Sequence, residues 1–365
     1  MLELDLSHIK TSGLFFQSLI NTSLLCFKNN NYTDNWDVKR FGSKDTGFTR
    51  NFAAEINRLL SQVEKLFESF NLFSDSYSRE LFFSYLCYRM VGHTAIKISS
   101  DFKVNRAEAI RAYEVICEKN SRDSDFLLSG IGDAKMRHLE FIWNEDRYVI
   151  DCFGMREILA LGQYYYDRNN FRVAPELGDY VVDAGACLGD TACAFSNTVG
   201  ETGKVYSFDP VDSHCKILRH NFDQFDICNC SLFPFALSNI VDLEETNSVL
   251  KDYPDLFAPG FSLLNNPAIK LPLVTLDYLL ERGDIERVDF LKMDIEGSEL
   301  NALKGAKNLI SRFRPKLAIS LYHKSEDLFE IPLFISKEFG FYQFFLDHYT
   351  IHSEELVLYC LPFSN

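Results

Sequence analysis

Apolar residues at Phe52, Ile56, Leu59, Val63, Leu66 and Phe70 recur at helical spacing and predict a helix running on from Thr49. Similar spacing predicts helices over 76–91 and 104–118. The pattern then changes period. Leu139, Phe141 and Trp143 fall at every second position, as do Tyr148, Ile150 and Cys152, and Asn144-Glu145-Asp146-Arg147 between them reads as a hairpin turn. Residues 1–48 show no clear period, and Asn29-Asn30-Asn31 and Gly42-Ser43 mark loops. Residues 1–150 therefore read as a mostly helical cap region that ends in a hairpin.

From about 175 short apolar runs alternate with helical segments. Strands are predicted at 179–183, 204–208, 230–236, 287–293, 315–321, 341–346 and 355–361. Helices are predicted near 190–198, 211–222, 275–282, 297–312 and 325–339. Such alternation implies an α/β fold, a parallel sheet covered on both faces. Only residues 347–354 join the last two strands, so they can form an antiparallel pair at one end of the sheet. The expected division is 1–150 and 151–365.

Composition narrows the partners. The net charge is −15 with no run of Lys and Arg, which disfavours nucleic acid and anionic lipid. The 33 Phe and 17 Tyr read first as core and pocket lining. Ten cysteines include no C-x-x-C pair; the nearest approach is Cys228-Asn229-Cys230. They read as buried free thiols of a reducing compartment, and no metal-ligand set is recognised. Residues 1–10 carry acids and no long apolar core, unlike a signal peptide, and no apolar stretch approaches the ~18 residues of a spanning helix. A cytoplasmic location is expected.

Three strand ends carry the candidate chemistry. Strand 179–183 runs into Asp183-Ala184-Gly185-Ala186-Cys187-Leu188-Gly189, followed by Asp190-Thr191 and a helix. Glycines permit a tight turn and close ligand approach, and the helix start offers N–H groups and positive dipole to a carboxylate or a phosphate. The pattern is neither G-x-G-x-x-G nor a P-loop. Lys204 to Phe208 is a strand ending in Asp209, 20 residues after Gly189. An acid there can accept hydrogen bonds from both ribose hydroxyls, or cap the helix after Pro210. Together the two motifs point to a nucleoside-containing cofactor. The strand through Phe290-Leu291-Lys292-Met293 delivers Asp294, Glu296 and Glu299. Asp294 and Glu296 point to the active face, where they could bind a metal, position a hydroxyl or cap the next helix; capping by one of them is expected. The next strand ends in Tyr322-His323, beside Asp294 by strand order, and His323 is the candidate general base, with His348 second.

With these residues in view, the chain resembles the FkbM family of methyltransferases. The resemblance rests on Val182 to Thr191, on Asp289 to Glu299 with Ala302-Leu303-Lys304-Gly305-Ala306, and on Pro315 to Lys324 followed by Asp327 and Ile331-Pro332. It spans about 160–361. It implies a class I methyltransferase fold, Rossmann-like, with a seven-stranded sheet and a reversed last strand. It also implies S-adenosyl-L-methionine as cofactor and a hydroxyl acceptor on a sugar, a glycan or a secondary metabolite such as a macrolide. Carried over, Asp183, Gly185 and Gly189, with Ala186, Asp190 and Thr191, form the cofactor loop. Asp209 becomes the ribose acid, where the family more often shows Glu. Ser238 or Asn239 falls where adenine contacts the protein. Residues 1–150 look like the extra N-terminal part of some bacterial members.

The resulting expectation is an O-methyltransferase in which His323 removes the hydroxyl proton while Asp294 and Glu296 position it or the substrate. The insertion 240–272, broken by Pro254, Pro259, Gly260 and Pro267, suits a lid or substrate loop. An NAD(P)-dependent oxidoreductase on the same topology, or a cofactor-binding protein without catalysis, are the alternatives.

Overall fold

The computed structural model describes residues 5–33, 35–36, 52–98, 104–128, 135–243 and 271–363. Packing divides the chain into two compact units, Met1–Asn105 with Leu321–Asn365, and Arg106–Ser320.

Among the described residues five helices come first: α1 (Ser12–Asn29), α2 (Phe52–Ser61), α3 (Val63–Leu72), α4 (Ser76–Val91) and α5 (Val104–Lys119). The unread helix α1 buries Phe15 and Leu19 but leaves Leu24, Leu25 and Phe27 exposed, so its apolar residues form no single stripe. The one helix expected from Thr49 is two, α2 and α3. The Ser61 hydroxyl donates to the Arg58 carbonyl, and Gln62 leaves helical geometry at φ −119°, ψ 10°. Helix α4 has the expected bounds because Asp75 accepts from the Ser78 N–H at its start and Gly92 ends it at φ 81°.

The hairpin follows as β2 (Arg137–Trp143) and β3 (Asp146–Cys152), joined by Asn144 and Glu145 at φ 49° and 77°, a two-residue loop; β1 (Ser121–Asp123) adds a third strand to its edge. A one-turn π-helix, Arg156–Ala160, leads to a second hairpin, β4 (Tyr166–Arg168) and β5 (Phe171–Val173), which turns at Asn169 and Asn170.

The alternating region forms β6 (Tyr180–Ala184), α6 (Asp190–Val199), β7 (Lys204–Phe208), α7 (Asp212–Gln224), β8 (Cys230–Phe233), β9 (Ala236–Leu237), β10 (Leu273–Val274), α8 (Leu276–Arg282), β11 (Phe290–Met293), α9 (Glu299–Lys304), α10 (Lys307–Phe313), β12 (Lys316–Ser320), α11 (Asp327–Phe339), β13 (Tyr342–His348) and β14 (Leu356–Pro362). The seven-stranded sheet has the order β13-β14-β12-β11-β6-β7-β8. Pairing is parallel from β12 to β8, and β13 runs antiparallel to β14 as expected. The helix expected over 297–312 is broken at Gly305, where a Cβ would stand 2.0 Å from the Ser238 carbonyl oxygen. The expected strand 230–236 ends at Phe233 and resumes as β9, which pairs with β10. Most of the insertion 240–272 lies outside the described residues; at its edges Asp242 and Leu273 exchange backbone hydrogen bonds.

Within the first unit, the Ser69 hydroxyl of α3 donates to the Leu328 carbonyl of α11, and the Ser78 hydroxyl of α4 accepts from the Leu346 N–H of β13. The N-terminal helices thus share a core with the C-terminal hairpin, and buried Phe15, Phe70 and Phe83 pack ring to ring within it. Six of the ten cysteines, all free, are buried. Among the described residues no helix is long and apolar enough to cross a membrane.

Within the second unit, register brings three strand ends into line. Met293 lies opposite Ala184, and Ala184 opposite Phe208. Asp294, Gly185 and Asp209 therefore leave the sheet at one edge, where ligands of open α/β sheets bind.

Candidate functional site

The turn after β6 is built from the backbone. Gly185 (φ 78°), Cys187 (φ 47°) and Gly189 (φ 93°) all adopt left-handed geometry. The Gly185 and Ala186 N–H groups donate to the Phe208 carbonyl at 2.9 and 3.0 Å, and the Gly189 N–H to that of Ala186 at 2.7 Å. At Gly185 a Cβ would lie 1.8 Å from the Asp294 carbonyl oxygen, so only glycine fits.

Beneath the turn lies a charge pair that none of the motifs singles out. Lys292, on β11 and 1% exposed, holds Asp183 Oδ1 at 3.0 Å. It also donates to the carbonyls of Ala184 at 3.0 Å and Gly185 at 2.7 Å. Asp183 Oδ2 accepts from the Thr191 hydroxyl at 2.7 Å. Burial alone would lower the Lys292 pKa, yet Asp183 and Asp294 raise it above the usual lysine value. Asp183 and Thr191 thus support the turn from behind.

Asp190 opens α6. Burial raises its pKa to about 6, opposed by Lys292 and reinforced by Asp183. Between its unfolded value and about 6 the folded chain binds the extra proton, so its charging subtracts stability as pH rises through that window. Asp190→Asn is expected to raise the thermal midpoint of the ligand-free chain by a few degrees at pH 8, with the difference vanishing at pH 4. Scans at the two pH values check this.

Asp209 forms the far wall. Its Oδ2 accepts from the Cys187 N–H at 3.0 Å and its Oδ1 from the Val211 N–H at 2.9 Å, while His214 Nδ1 lies 3.2 and 3.3 Å from the two oxygens. It therefore ties down the glycine turn as well as its own helix start. A carboxylate accepts about four hydrogen bonds. Three protein donors leave room for about one ribose hydroxyl, where the sequence suggested two. Burial opposes the imidazolium of His214, but Cys187 and Asp209 beside it hold its pKa well above the ordinary histidine value. Burial likewise pushes the Cys187 thiol up, against the pull of His214.

The turn after β11 is closed by Glu299, not by the acids expected to cap the helix. Its Oε1 accepts from the Ile295 N–H at 2.8 Å and the Gly297 N–H at 3.4 Å, and the side chain is fully buried. Glu299 can do this because Glu296 (φ 55°) and Gly297 (φ 89°) curl the backbone back over it. Asp294 and Glu296 are left half-buried, with the Tyr164 hydroxyl donating to Asp294 Oδ2 at 2.7 Å.

These strand ends line a cleft that is partly open to solvent. Gly185, Asp209, Asp294 and Glu296 face it together, beside His214 and Cys187. Phe235, Ala236, Leu237 and Leu271 supply an apolar side. Ser238, buried, and Asn239, exposed, follow Leu237 in the chain and are not among the residues that line the cleft.

Of the two histidine candidates, His348 is committed to structure: it is 1% exposed and its Nε2 lies 2.6 Å from the His352 carbonyl oxygen. It holds the β13–β14 connection. His323 follows β12 within the first unit, where its ring lies tilted by 42° against that of Tyr322, with centroids 4.2 Å apart.

Residues 183–344 match the family described as methyltransferase FkbM domain. Over this stretch the chain is similar to the methyltransferase FkbM domain. The match to this domain starts at Asp183, at the end of β6, and closes at Phe344 in β13. Among solved structures the chain is similar to the methyltransferase FkbM from Methylobacillus flagellatus KT, at 17% identity and a TM-score of 0.53. That alignment covers 84% of this chain and 62% of the other, so the chain spans less than two thirds of that protein, and the likeness is one of fold. Slighter likenesses include a SAM dependent methyltransferase from Aquifex aeolicus (15% identity, TM-score 0.33, 52% of this chain and 86% of that one). Another is Aeropyrum pernix fibrillarin in complex with natively bound S-adenosyl-L-methionine (11%, TM-score 0.34, 66% and 97%). No curated protein is significantly matched.

Proposed function

We propose that the chain is an S-adenosylmethionine-dependent O-methyltransferase acting on a hydroxyl of a sugar, a glycan or a secondary metabolite. The observation that carries this reading is the shared edge at which Asp209, the glycine turn and Asp294 open onto one cleft of the FkbM domain.

The residues suit the cofactor. The apolar side offers a slot for a flat base, Asp209 has capacity for a ribose hydroxyl, and the N-terminus of α6 follows the glycine turn. When bound, S-adenosylmethionine supplies an already activated methyl group. What remains for the protein is to align the acceptor oxygen, exclude water and take up one proton. We assign proton uptake to His323 and acceptor alignment to Asp294 and Glu296. Met293 of β11 lies opposite Ile319 of β12, so the chain leaves both strands at the same edge, and His323 follows three residues after β12.

Two measurements test the reading. S-adenosylhomocysteine should bind the full chain while NADH does not. Transfer of a tritiated methyl group to the glycan or small-metabolite fraction of the source cells should fall about 100-fold or more in His323→Ala, with S-adenosylhomocysteine affinity unchanged. Unchanged transfer removes His323 from the mechanism; binding of NADH in place of the homocysteine product removes the reading.

A further inference from the structure

Tyr164 holds Asp294 from a position that backbone sterics disfavour. It stands between the one-turn π-helix and β4, 3% exposed, at φ 69°, left-handed geometry that is costly for a bulky side chain. Both π-turns and such strained residues concentrate at functional sites. What the strain secures is visible. The hydroxyl donates to Asp294 Oδ2 at 2.7 Å, Gln163 Nε2 donates to that hydroxyl at 3.2 Å, and the ring lies 5.3 Å from Lys292 Nζ. Lys292 is itself paired with Asp183, so one ammonium serves two carboxylates.

Strand order gives the pair a location along the ligand. Asp209 ends β7, Gly185 ends β6 and Asp294 ends β11, three neighbouring strands. Two strand spacings are ~10 Å. A ligand whose ribose lies at Asp209 and which crosses the glycine turn presents its sulfur centre toward Asp294.

We propose that Tyr164 and Asp294 read the charge of the cofactor: Tyr164 fixes the Asp294 carboxylate at the sulfur end of the cleft, and the pair favours the sulfonium donor over its neutral thioether product. The inference rests on the reading of the cleft as an S-adenosylmethionine site and assigns Tyr164 as a positioning residue that works through Asp294. A carboxylate fixed in the cleft wall attracts a cation more than an uncharged sulfur. Loss of that charge at methyl transfer then loosens the product.

Calorimetric titration of the full chain tests this with three probes: S-adenosylmethionine, S-adenosylhomocysteine, and sinefungin, which carries an amine cation in place of the sulfonium. The quantity read is the Kd of the neutral ligand divided by that of each cation. Asp294→Asn is expected to lower both ratios about tenfold, and Tyr164→Phe about threefold, with S-adenosylhomocysteine affinity held within about twofold. The phenyl ring keeps the packing on Lys292, and a thermal scan confirms folding. The double variant should match Asp294→Asn alone, since one residue acts through the other. Ratios unchanged in Tyr164→Phe, equal weakening of all three ligands, or additive losses in the double variant overturn the proposal. If Tyr164→Phe does not fold, Asp294→Asn decides it alone: unchanged ratios reject the pair. Failure of every probe to bind the unaltered chain is a different result, which overturns the cofactor reading and the pair with it.

Discussion

Gly185→Ala is expected to weaken S-adenosylhomocysteine binding by about 100-fold or more. Two costs combine. A side chain at φ 78° carries left-handed strain of roughly 1 kcal/mol or more. The added Cβ would also meet the Asp294 carbonyl oxygen at 1.8 Å and its carbon at 2.9 Å. Both are main-chain atoms of the neighbouring strand end, so no rotamer change relieves the clash, and the two turns must separate. Overpacking of this kind costs a further ~1–3 kcal/mol. Gly283→Ala isolates the first cost, because Gly283 has φ 79° but nothing within 4 Å of its Cβ position. Gly283→Ala should lose a little thermal stability and no ligand affinity. Titration calorimetry on both variants checks the contrast, and equal binding losses would exclude the steric explanation.

Lys292→Met is expected to destabilise the chain by about 3–5 kcal/mol, the usual cost of leaving one partner of a buried ion pair alone. Asp183 would keep its Thr191 hydrogen bond but lose its cation, and the Ala184 and Gly185 carbonyls would lose their ammonium donor. The carboxylates of Asp183 and Asp294 hold the Lys292 pKa up despite burial, so the ammonium stays charged in the folded chain across neutral pH. Adding Asp183→Asn should recover part of the loss, since it removes the orphaned charge. Denaturant unfolding of the two single variants and the double variant checks this; additive losses would mean that the two side chains are energetically independent.

Much of the sheet was legible because its strands are short apolar runs between turn residues, and the strand ends at Gly185, Asp209 and Asp294 follow from that rhythm. The FkbM resemblance was legible for the same reason, since its motifs are those strand ends. The partners of the site residues were not. Lys292 within Phe290-Leu291-Lys292-Met293 did carry a signal: a lysine inside a fully buried strand requires a carboxylate partner. Sequence spacing could not say that the partner is Asp183, 109 positions earlier. Glu299 reads as an ordinary first-turn acid, and only the left-handed backbone at Glu296 and Gly297 turns it into the turn's acceptor. Cys187, which stands where a glycine would relieve φ 47°, keeps that strained geometry while its N–H binds Asp209 and its side chain neighbours His214. Tyr164 lies outside every motif, in a segment with neither helical nor strand period. Helix α1 escaped notice because its apolar residues surround it.

The contact between Gly185 and the Asp294 carbonyl limits how this site can diversify. Where a cleft wall consists of side chains, as at Phe235 and Leu271, replacement can reshape it in small steps. Where main chain meets main chain no such step exists, since the smallest residue is already in place. Variation among descendants of this chain is therefore expected to accumulate in the side-chain walls of the cleft, while the seam between the glycine turn and the acidic turn stays fixed.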